Sequence, residues 1–391
     1  GANVFIALPL ALLGFGSSTV HLLARPHLWT MVLVAACAWL IQRDLRQHTR
    51  WIWALVPLTV VWTNLHGGWL ALVAILGIVS AGSAIETLLG QSSWITVRRY
   101  AFLAAACLAA SLINPFTWHL HAHMAEYLTV DWIKDLIGEF KSPTFRAENM
   151  KQYELILLVS IAASGAALLR RNFVGPLLVL FWAHSSLVSA RHIPLFVAIS
   201  LPFLAEELTR LWTSWTATAK KSSVPGILGA LAAESQAGIG RASVWAVLPF
   251  IVVASPLLAL PWPKDFPPSR FPIKMVEKHA ELLVRSRVYA EDQWADYLIY
   301  RLSPRQKVFF DGRSDFYGEQ ISREYCMLMN GTHRWKELMA KYDFNAVLIR
   351  PDWPLASLLK EQPGWRVVDD DTKAILFERL PTTPSQPNST R

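Results

Sequence analysis

Three short stretches of this sequence place arginine, histidine and asparagine between long apolar runs, where such side chains can bind an anion. They read Ala24-Arg25-Pro26-His27, Asn64-Leu65-His66-Gly67-Gly68 and Ala190-Arg191-His192-Ile193-Pro194. A guanidinium can hold phosphate oxygens bidentately, and an imidazole or amide can bond a sugar hydroxyl or a phosphate oxygen. This pattern predicts a substrate-binding site formed by Arg25, His27, Asn64, His66, Arg191 and His192.

Each of these residues also has a structural interpretation. An arginine at a membrane boundary can anchor a helix end by extending its charged group to water. Asn64 and His66 can cap the carbonyl groups that a helix leaves unpaired at its end. Asn114, which precedes Pro115, ends another apolar run, and there capping is the better interpretation.

Carboxylates suited to acid–base chemistry or metal binding lie in one long polar connection, residues 114–153. Among them Glu139 is the candidate catalytic residue, as a general base. Asp131 and Asp135 are four residues apart, hence on one face of a helix, and can hold a divalent cation such as Mg²⁺ or Mn²⁺ through oxygen ligands. Most acidic residues in such a connection are simply solvated, which is the competing interpretation for all three.

Three histidines alternate in the same connection, at His119, His121 and His123. A helix would spread them over different faces, whereas a strand would align them. Metal binding is one interpretation of this run. The better one is a belt at the membrane–water interface, together with Trp118 and Tyr127.

The composition indicates a membrane protein, because 53% of the residues are hydrophobic and only 17% are charged. Soluble domains carry about a quarter charged residues. A full span needs about 20 residues, so short apolar runs must tilt or extend into flanking aromatic residues. About nine apolar stretches are candidate spans: residues 3–15, 27–42, 51–63, 69–89, 100–113, 152–169, 173–190, 192–211 and 243–261.

Lysine and arginine occur mostly in alternate connections between these stretches. The basic connections contain Arg43 to Arg50, Arg98 and Arg99, Arg170 and Arg171, and the residues from Arg210 to Arg241. Short basic connections stay in the cytoplasm, so the other connections are predicted to be external. The stretches that contain Arg25, His66, Glu139 and Arg191 then share the outer face of a bacterial inner membrane.

The net charge of +8 lies mostly in residues 1–262, so it indicates the orientation of the chain in the membrane. No basic stripe with interleaved aromatic residues is present, which argues against a nucleic-acid partner. The three cysteines, Cys37, Cys107 and Cys326, have neither the spacing of a metal site nor that of a disulfide framework.

The sequence predicts a mainly α-helical polytopic membrane protein with a C-terminal external α/β domain. Residues 1–262 form the membrane domain, in which 212–242 is a loosely ordered cytoplasmic linker that can include an interfacial helix. A proline-rich collar, 263–272, leads to the α/β domain, 273–380, and to a disordered tail, 381–391. Strands alternating with helices predict a mainly parallel sheet with an antiparallel edge, including a strand at Lys307–Phe310.

This layout resembles the bacterial membrane glycosyltransferases of the GT-C class. Outward-facing arginine, histidine and Asn-Pro motifs between spans are similar to that class. Gln293-Trp294-Ala295-Asp296-Tyr297-Leu298, followed by Phe309-Phe310-Asp311-Gly312-Arg313, is similar in position to the Trp-Trp-Asp-Tyr-Gly region of oligosaccharyltransferase catalytic subunits. The resemblance implies a polyprenyl-phosphate-linked sugar donor, an external active site and often a divalent metal.

The chain departs from that class in its first external connection. The class places a catalytic aspartate or an acidic pair there, whereas residues 16–27 contain no carboxylate. We expect either that the acidic connection lies upstream of Gly1 or that the chain is not catalytic. Two functions follow: a glycosyltransferase that uses a lipid-linked sugar, or a non-catalytic membrane subunit of the same ancestry that scaffolds a complex with other membrane subunits.

Overall fold

The computed structural model describes residues 2–22, 25–130, 132, 138–147, 150–239 and 265–381. The chain divides into two compact units, Gly1–Ala254 and Ser255–Arg391. Over the described residues the first unit is helical, and the second combines helices with one small sheet. The predicted ninth span, 243–261, and the tail from residue 382 lie outside the described residues.

The helices of the first unit follow the apolar runs of the sequence. They are α1 Val4–Ser18, α2 His27–Arg46, α3 Leu55–Thr63, α4 Leu70–Leu88, α5 Trp94–Ala110, α6 Trp118–Thr129, α7 Met150–Leu169, α8 Val174–Val188, α9 Ile193–Ala217 and α10 Val224–Ile239. In the described connections lie five short 3-10 helices, at Thr19–His21, Arg50–Ala54, Gly67–Trp69, Gly138–Phe140 and Ala190–His192.

Five helical stretches of the described chain are long and apolar enough to cross a membrane. They are Val4–His21, His27–Arg46, Gly67–Leu88, Met150–Leu169 and Ala190–Ala217. The predicted count of about nine spans is therefore not confirmed, since α3, α5 and α8 are shorter. Each predicted stretch before residue 212 nevertheless coincides with a helix.

The outward faces of these helices are apolar, as a lipid-facing bundle requires. In α1, Leu8, Leu12 and Phe15 are each more than half exposed and follow one another at helical spacing. Trp62, Trp69 and Tyr100 are fully buried in the bundle interior. A helix that is apolar on every side is typical of a membrane span.

One end of the bundle is held by a buried ion pair. The Asp44 carboxylate, at the end of α2, is fully buried and accepts two hydrogen bonds from the Arg99 guanidinium, at 2.8 and 2.9 Å. The backbone N–H of Thr49 and the hydroxyl of Tyr100 donate to the same carboxylate, at 2.7 and 3.0 Å. Because all these donors converge on one buried charge, the network fixes α5 against the end of α2.

The segment 212–242, predicted as a loosely ordered linker, is largely helical where it is described. Helix α9 continues to Ala217, and α10 covers Val224–Ile239. The Arg210 guanidinium donates to Glu206 one turn earlier at 2.8 Å, a pairing that supports this end of α9. Helix α10 lies where the sequence allowed a helix within this linker, and the cytoplasmic location of the linker stays a prediction.

Within residues 265–381, the second unit has six helices and a four-stranded mixed sheet. The helices are α11 Ile273–Lys278, α12 Ala280–Arg285, α13 Asp292–Leu302, α14 Ser314–Met329, α15 Trp335–Lys341 and α16 Pro354–Lys360. The strands are β1 Val288–Ala290, β2 Ala346–Ile349, β3 Trp365–Asp370 and β4 Ile375–Arg379, in the order β1-β2-β4-β3.

The prediction of a mainly parallel sheet was wrong. Only β1 and β2 pair in parallel, whereas β4 pairs antiparallel with both β2 and β3. The predicted strand Lys307–Phe310 is an irregular segment instead. Phe309 and Phe310 gain their burial by packing on Phe344 and Tyr325, without pairing in the sheet.

Both faces of the sheet are covered. Val347 and Ile349 of β2 pack into one apolar cluster, and the alternate residues Ala346 and Leu348 pack into another. Because successive side chains of a strand point to opposite faces, this alternation requires helices on both sides. The continuous apolar sequence of β2 follows from that double burial.

Candidate functional site

Four connections of the first unit meet at one end of the bundle. The His21 imidazole lies 3.5 Å from the Glu139 carboxylate, and the Ser189 hydroxyl donates to the Glu139 carbonyl at 3.1 Å. The rings of His27 and His66 lie 6.5 Å apart. We call His21, His27, His66, Glu139 and Arg191 the histidine cluster.

The histidine cluster and the Asp44 ion pair lie at opposite ends of the bundle. His27 begins α2, and Asp44 lies in its last turn, so about 25 Å of helix separates them at 1.5 Å per residue. Arg46 and Glu206, which also lie at the Asp44 end, pair at 2.9 Å. The sequence predicted this separation of the basic connections from the histidine-rich ones.

A chain of hydrogen bonds orients His66. The indole N–H of Trp62 donates to the Thr30 hydroxyl at 2.9 Å, and that hydroxyl lies 2.9 Å from His66 Nδ1. The backbone N–H of Gly68 also donates to His66 Nδ1, at 3.1 Å. Because the Thr30 oxygen accepts the Trp62 N–H, the Thr30 hydroxyl donates its own proton to His66 Nδ1.

This network assigns the tautomer of His66. Because Nδ1 accepts two hydrogen bonds, the ring proton of the neutral imidazole lies on Nε2. Burial, the positive charge of Arg191 and that of His27 lower the pKa of His66 from 6.5 to about 4. His66 is therefore neutral at pH 7, and its Nε2–H is a hydrogen-bond donor with a fixed direction.

Gly68 is required for the close approach of Thr30 and His66. A Cβ atom at Gly68 would lie 2.3 Å from the Thr30 hydroxyl oxygen and 3.0 Å from His66 Nδ1. A side chain there would displace the two groups that orient the imidazole. A glycine is therefore needed at position 68 so that the backbone can pack closely against Thr30 and His66.

His27 connects to the backbone of the first connection. Its Nε2 lies 2.7 Å from the His21 carbonyl, which can only accept, so His27 Nε2 carries a proton. The rings of His21 and His27 lie 4.1 Å apart, and both side chains are buried. The contact with the His21 carbonyl uses only one ring nitrogen of His27 and does not decide whether His27 binds substrate. That role stays a prediction.

Arg191 presents a cation without a carboxylate partner among the described residues. Its guanidinium lies over the ring of Phe140, 4.3 Å from the centroid. This cation–π contact holds the side chain but leaves its N–H groups available to an anion. Its charge lowers the pKa of the neighbouring His66, so the two groups share one electrostatic environment.

Arg25 is exposed beside the cluster, immediately before α2. Within the described part of the chain no carboxylate lies within 4 Å of its guanidinium. His192 ends the 3-10 helix immediately before α9, and its Nδ1 is bonded to the hydroxyl and carbonyl oxygens of Ser185, at 2.8 and 3.2 Å. Both were predicted to bind substrate; Arg25 keeps its hydrogen-bond donors, whereas His192 uses Nδ1 internally.

The amides of Asn64 and Asn114 are engaged with the backbone. Asn64 Nδ2 donates to the carbonyls of Val60 and Ile113, at 2.8 and 3.0 Å. Asn114 Nδ2 donates to the Ser111 carbonyl at 2.8 Å. The capping interpretation, which the sequence left open for Asn64 and favoured for Asn114, describes these contacts.

The alternating histidines lie on α6, where His119 and His123, four residues apart, share a face and His121 lies on another. His121 contacts the Ser111 hydroxyl at 2.8 Å, and the His119 ring packs on Trp118. Among the described residues, no group of three or more His, Cys, Asp or Glu side chains could hold a metal ion. The predicted metal ligands Asp131 and Asp135 lie outside the described residues, so their role stays a prediction.

The Asp311-Gly312-Arg313 motif of the second unit forms an internal ion pair. The Asp311 carboxylate is fully buried and accepts from the Arg313 guanidinium and from the Tyr317 hydroxyl, at 2.6 and 2.8 Å. Burial opposes the charge of Asp311, but the hydrogen bonds from Arg313 and Tyr317 outweigh it and lower its pKa. The motif therefore has a structural role in ordering the start of α14.

Sequence reasoning missed Thr30, Trp62 and His21. Thr30 and Trp62 are buried on neighbouring helices and separated by 32 positions. A threonine within an apolar run was the only signal, and it equally fits a hydroxyl bonded to its own helix. His21 occupied the same histidine-rich connection as His27 but was not singled out.

Replacing Thr30 by valine tests the orienting network. The change keeps the shape but leaves the Trp62 N–H buried without a partner, so we expect a loss of about 1–3 kcal/mol in the free energy of unfolding. Histidine-selective NMR should show the Nδ1 resonance of His66 shifting, because Nδ1 loses the Thr30 donor and keeps only the Gly68 N–H. Thr59→Val is the matched control, because Thr59 bonds to the Leu55 carbonyl of its own helix and to the Cys107 side chain, but to no histidine.

No protein-family model matches this sequence, and the comparison with curated proteins also gives no match.

Proposed function

We propose that the first unit is a membrane glycosyltransferase that moves a sugar from a polyprenyl-phosphate donor to an acceptor. The observation that carries this proposal is the pairing of Arg191 with the oriented His66 at one end of an apolar bundle. Arg191 and His66 Nε2–H provide two hydrogen-bond donors there, of which the Arg191 guanidinium is charged. The Glu139 carboxylate belongs to the same cluster and lies beside His21. Such a set suits the phosphate of a lipid whose chain lies among the helices.

In the proposed reaction the bond between the sugar and the phosphate oxygen breaks, and the phosphate leaves with the electron pair. Arg191 and the Nε2–H of His66 stabilise the charge that grows on that phosphate. Arg25, exposed beside them, adds a second guanidinium. Stabilising developing charge with donors fixed in advance is usually the largest catalytic contribution.

The acceptor oxygen forms the new bond to the sugar, and Glu139 takes the proton of the acceptor hydroxyl. Glu139 is partly exposed and lies 3.5 Å from the buried His21 imidazole. That contact restrains the carboxylate while leaving it accessible to an acceptor. The resemblance also implies a divalent metal, for which Asp131 and Asp135 remain the proposed ligands.

The orientation in this proposal places the histidine cluster on the outer face of a bacterial inner membrane, with the second unit external. It rests on the basic residues at the opposite end of the bundle, such as Arg46, Arg98 and Arg170. A count of about nine spans, with 243–261 as the last, brings the chain to the outer face at residue 262. Cysteine labelling from outside intact cells, at Arg25→Cys compared with Arg98→Cys, tests this orientation.

Replacing Arg191 by alanine should weaken the binding of polyprenyl phosphate about 10- to 100-fold, because a hydrogen-bonded charge contributes about 1.5–3 kcal/mol. Titration of the purified chain in detergent with polyprenyl phosphate measures this change. Arg43→Ala is the matched control, since Arg43 stacks on Trp39 in a similar way but lies at the Asp44 end. Equal affinities of the two variants would contradict the phosphate site.

The alternative is a non-catalytic subunit that scaffolds other membrane proteins. It predicts that the chain leaves detergent-solubilised membranes with a stoichiometric partner and that sugar transfer does not depend on Arg191. Transfer assays with lipid-linked sugar donors separate the two functions. The glycosyltransferase proposal requires transfer by the chain itself.

A further inference from the structure

A cavity of about 340 Å³, with several polar side chains in an otherwise apolar wall, opens at the Asp44 end of the bundle, far from the histidine cluster. Its volume falls within the range of small-molecule sites, about 300–1,000 Å³. Helices α2, α4, α8 and α9 contribute to its wall. The polar side chains that matter are Gln42, Arg46, Ser83, Glu86, Asn172 and Glu206.

Two buried polar atoms in the wall of this cavity have no hydrogen-bond partner within the described structure. They are the hydroxyl oxygen of Ser83, a residue only 1% exposed, and the amide oxygen of Asn172. A buried polar group without a partner is destabilising, so native proteins nearly always satisfy it. These two oxygens are acceptors that a bound molecule with hydrogen-bond donors would satisfy.

Glu86 supplies the charge of the site. Its Oε1 accepts from the backbone N–H groups of Phe173 and Val174, at 2.7 and 3.1 Å, while no described cation lies within 4 Å of the carboxylate. The neighbouring acids differ: Glu206 pairs with Arg46 and Arg210, and Glu207 pairs with Arg170. The second oxygen of Glu86 is therefore a charged acceptor that the surrounding structure leaves to a ligand.

Three acceptor oxygens, one of them on a carboxylate that has no cationic partner among the described residues, match a primary ammonium, which has three N–H donors. Arg46 at the rim is half exposed, and beyond its bond to Glu206 it keeps N–H groups for an anion. The cavity also lies at the end of membrane-crossing helices, where lipid headgroups are found. We propose that this cavity binds a primary ammonium carried next to a phosphate, the chemistry of an aminophospholipid headgroup.

The proposed contacts divide the ligand between two sets of residues. The ammonium donates to Glu86, Ser83 and Asn172, and the phosphate contacts Arg46. A trimethylammonium has no N–H donor and cannot satisfy the three oxygens. The site should therefore distinguish phosphatidylethanolamine from phosphatidylcholine.

The test is the unfolding temperature of the purified full chain in nanodiscs. Nanodiscs of phosphatidylcholine alone are compared with a series in which phosphatidylethanolamine replaces it, and with phosphatidylcholine nanodiscs to which soluble glycerophosphoethanolamine is added. We expect a saturable rise in the unfolding temperature with the ethanolamine lipid. A rise with the soluble compound as well supports a site for the headgroup itself, and a rise with the lipid alone supports a lipid site.

Two variants separate the cavity from general effects of the bilayer. Ser83→Ala removes a hydroxyl that has no partner, so it should fold at least as well as the parent chain in phosphatidylcholine. Glu86→Gln keeps an oxygen for the N–H groups of Phe173 and Val174. Each should weaken the apparent affinity for the ethanolamine headgroup at least about tenfold, as expected for a hydrogen bond to a charged group.

Glu154→Gln is the matched control, since Glu154 is an exposed acid on α7 that does not line the cavity. It should keep the full response to phosphatidylethanolamine. The proposal is overturned if neither amine source raises the unfolding temperature. It is also overturned if all three variants respond equally, which would mean that water satisfies Ser83 and Asn172 and that the bilayer alone causes the rise.

Discussion

Replacing Glu139 by glutamine should lower the turnover of sugar transfer by about 10²- to 10⁴-fold while leaving the affinity for the lipid-linked donor nearly unchanged. A general base contributes a rate factor of this size, and an amide cannot take the proton of the acceptor hydroxyl. The change keeps the volume of the side chain beside His21. Steady-state kinetics with a lipid-linked donor would show kcat falling and KM constant.

Glu126→Gln is the control for this experiment, because Glu126 is an exposed acid on α6 within the same long connection. It should retain the turnover of the parent chain. A Glu139→Gln variant that turns over normally would remove Glu139 from the mechanism. The base would then be sought among acids outside the described residues, such as Asp131 and Asp135.

Replacing Arg99 by methionine should destabilise the bundle by about 3–5 kcal/mol, because it leaves the buried Asp44 carboxylate without its cation. Asp44 would keep only the hydrogen bonds from Thr49 and Tyr100. The free energy of unfolding in mixed detergent micelles measures the change. This is the largest stability effect that we expect from a single replacement in the first unit.

Arg98→Met provides the matched comparison, since Arg98 is the adjacent residue on α5 and is exposed. We expect it to change stability by less than about 0.5 kcal/mol. Adding Asp44→Asn to Arg99→Met should recover part of the loss, because the unpaired charge disappears. A double variant as unstable as the sum of two independent losses would argue against the ion pair.

The sequence predicted the helices of the first unit well because long apolar runs can satisfy their backbone groups in a membrane only as helices. It also predicted that Arg191, His66 and Glu139 share one end of the bundle, since they lie in alternate connections. The contacts follow that prediction, with His21 beside Glu139 and Arg191 within electrostatic range of His66. Which connections share an end of the bundle follows from the order of the helices along the chain, and the sequence contains that order.

The detailed arrangement of the site could not be predicted, because it depends on contacts between distant helices. Thr30 and His66 are 36 positions apart, and nothing in either sequence neighbourhood indicates the other. The role of Asn64 could not be predicted for the same reason. Whether its amide caps a helix or binds substrate depends on the position of the Ile113 carbonyl, 49 positions away. Periodicity identifies faces of helices but not which side chains meet across them.

The sheet prediction failed for a reason of topology. The sequence predicted an antiparallel edge to the sheet, and β3 and β4 form such a pair, with only a short connection between Asp370 and Ile375. It did not show that β4 inserts next to β2, which makes antiparallel pairing dominant. The segment Lys307–Phe310 has strand-like residues, but strand propensity largely reflects burial, and its phenylalanines are buried without pairing.

Sugar transfer by the purified chain in proteoliposomes tests the central claim most directly. The measurement supplies polyprenyl-phosphate-linked sugars and an acceptor, and compares the parent chain with Arg191→Ala and Arg43→Ala. The proposed site predicts transfer by the parent chain and by Arg43→Ala, and its loss in Arg191→Ala. Equal transfer by both variants, or no transfer by the parent chain with any lipid-linked sugar, would contradict it.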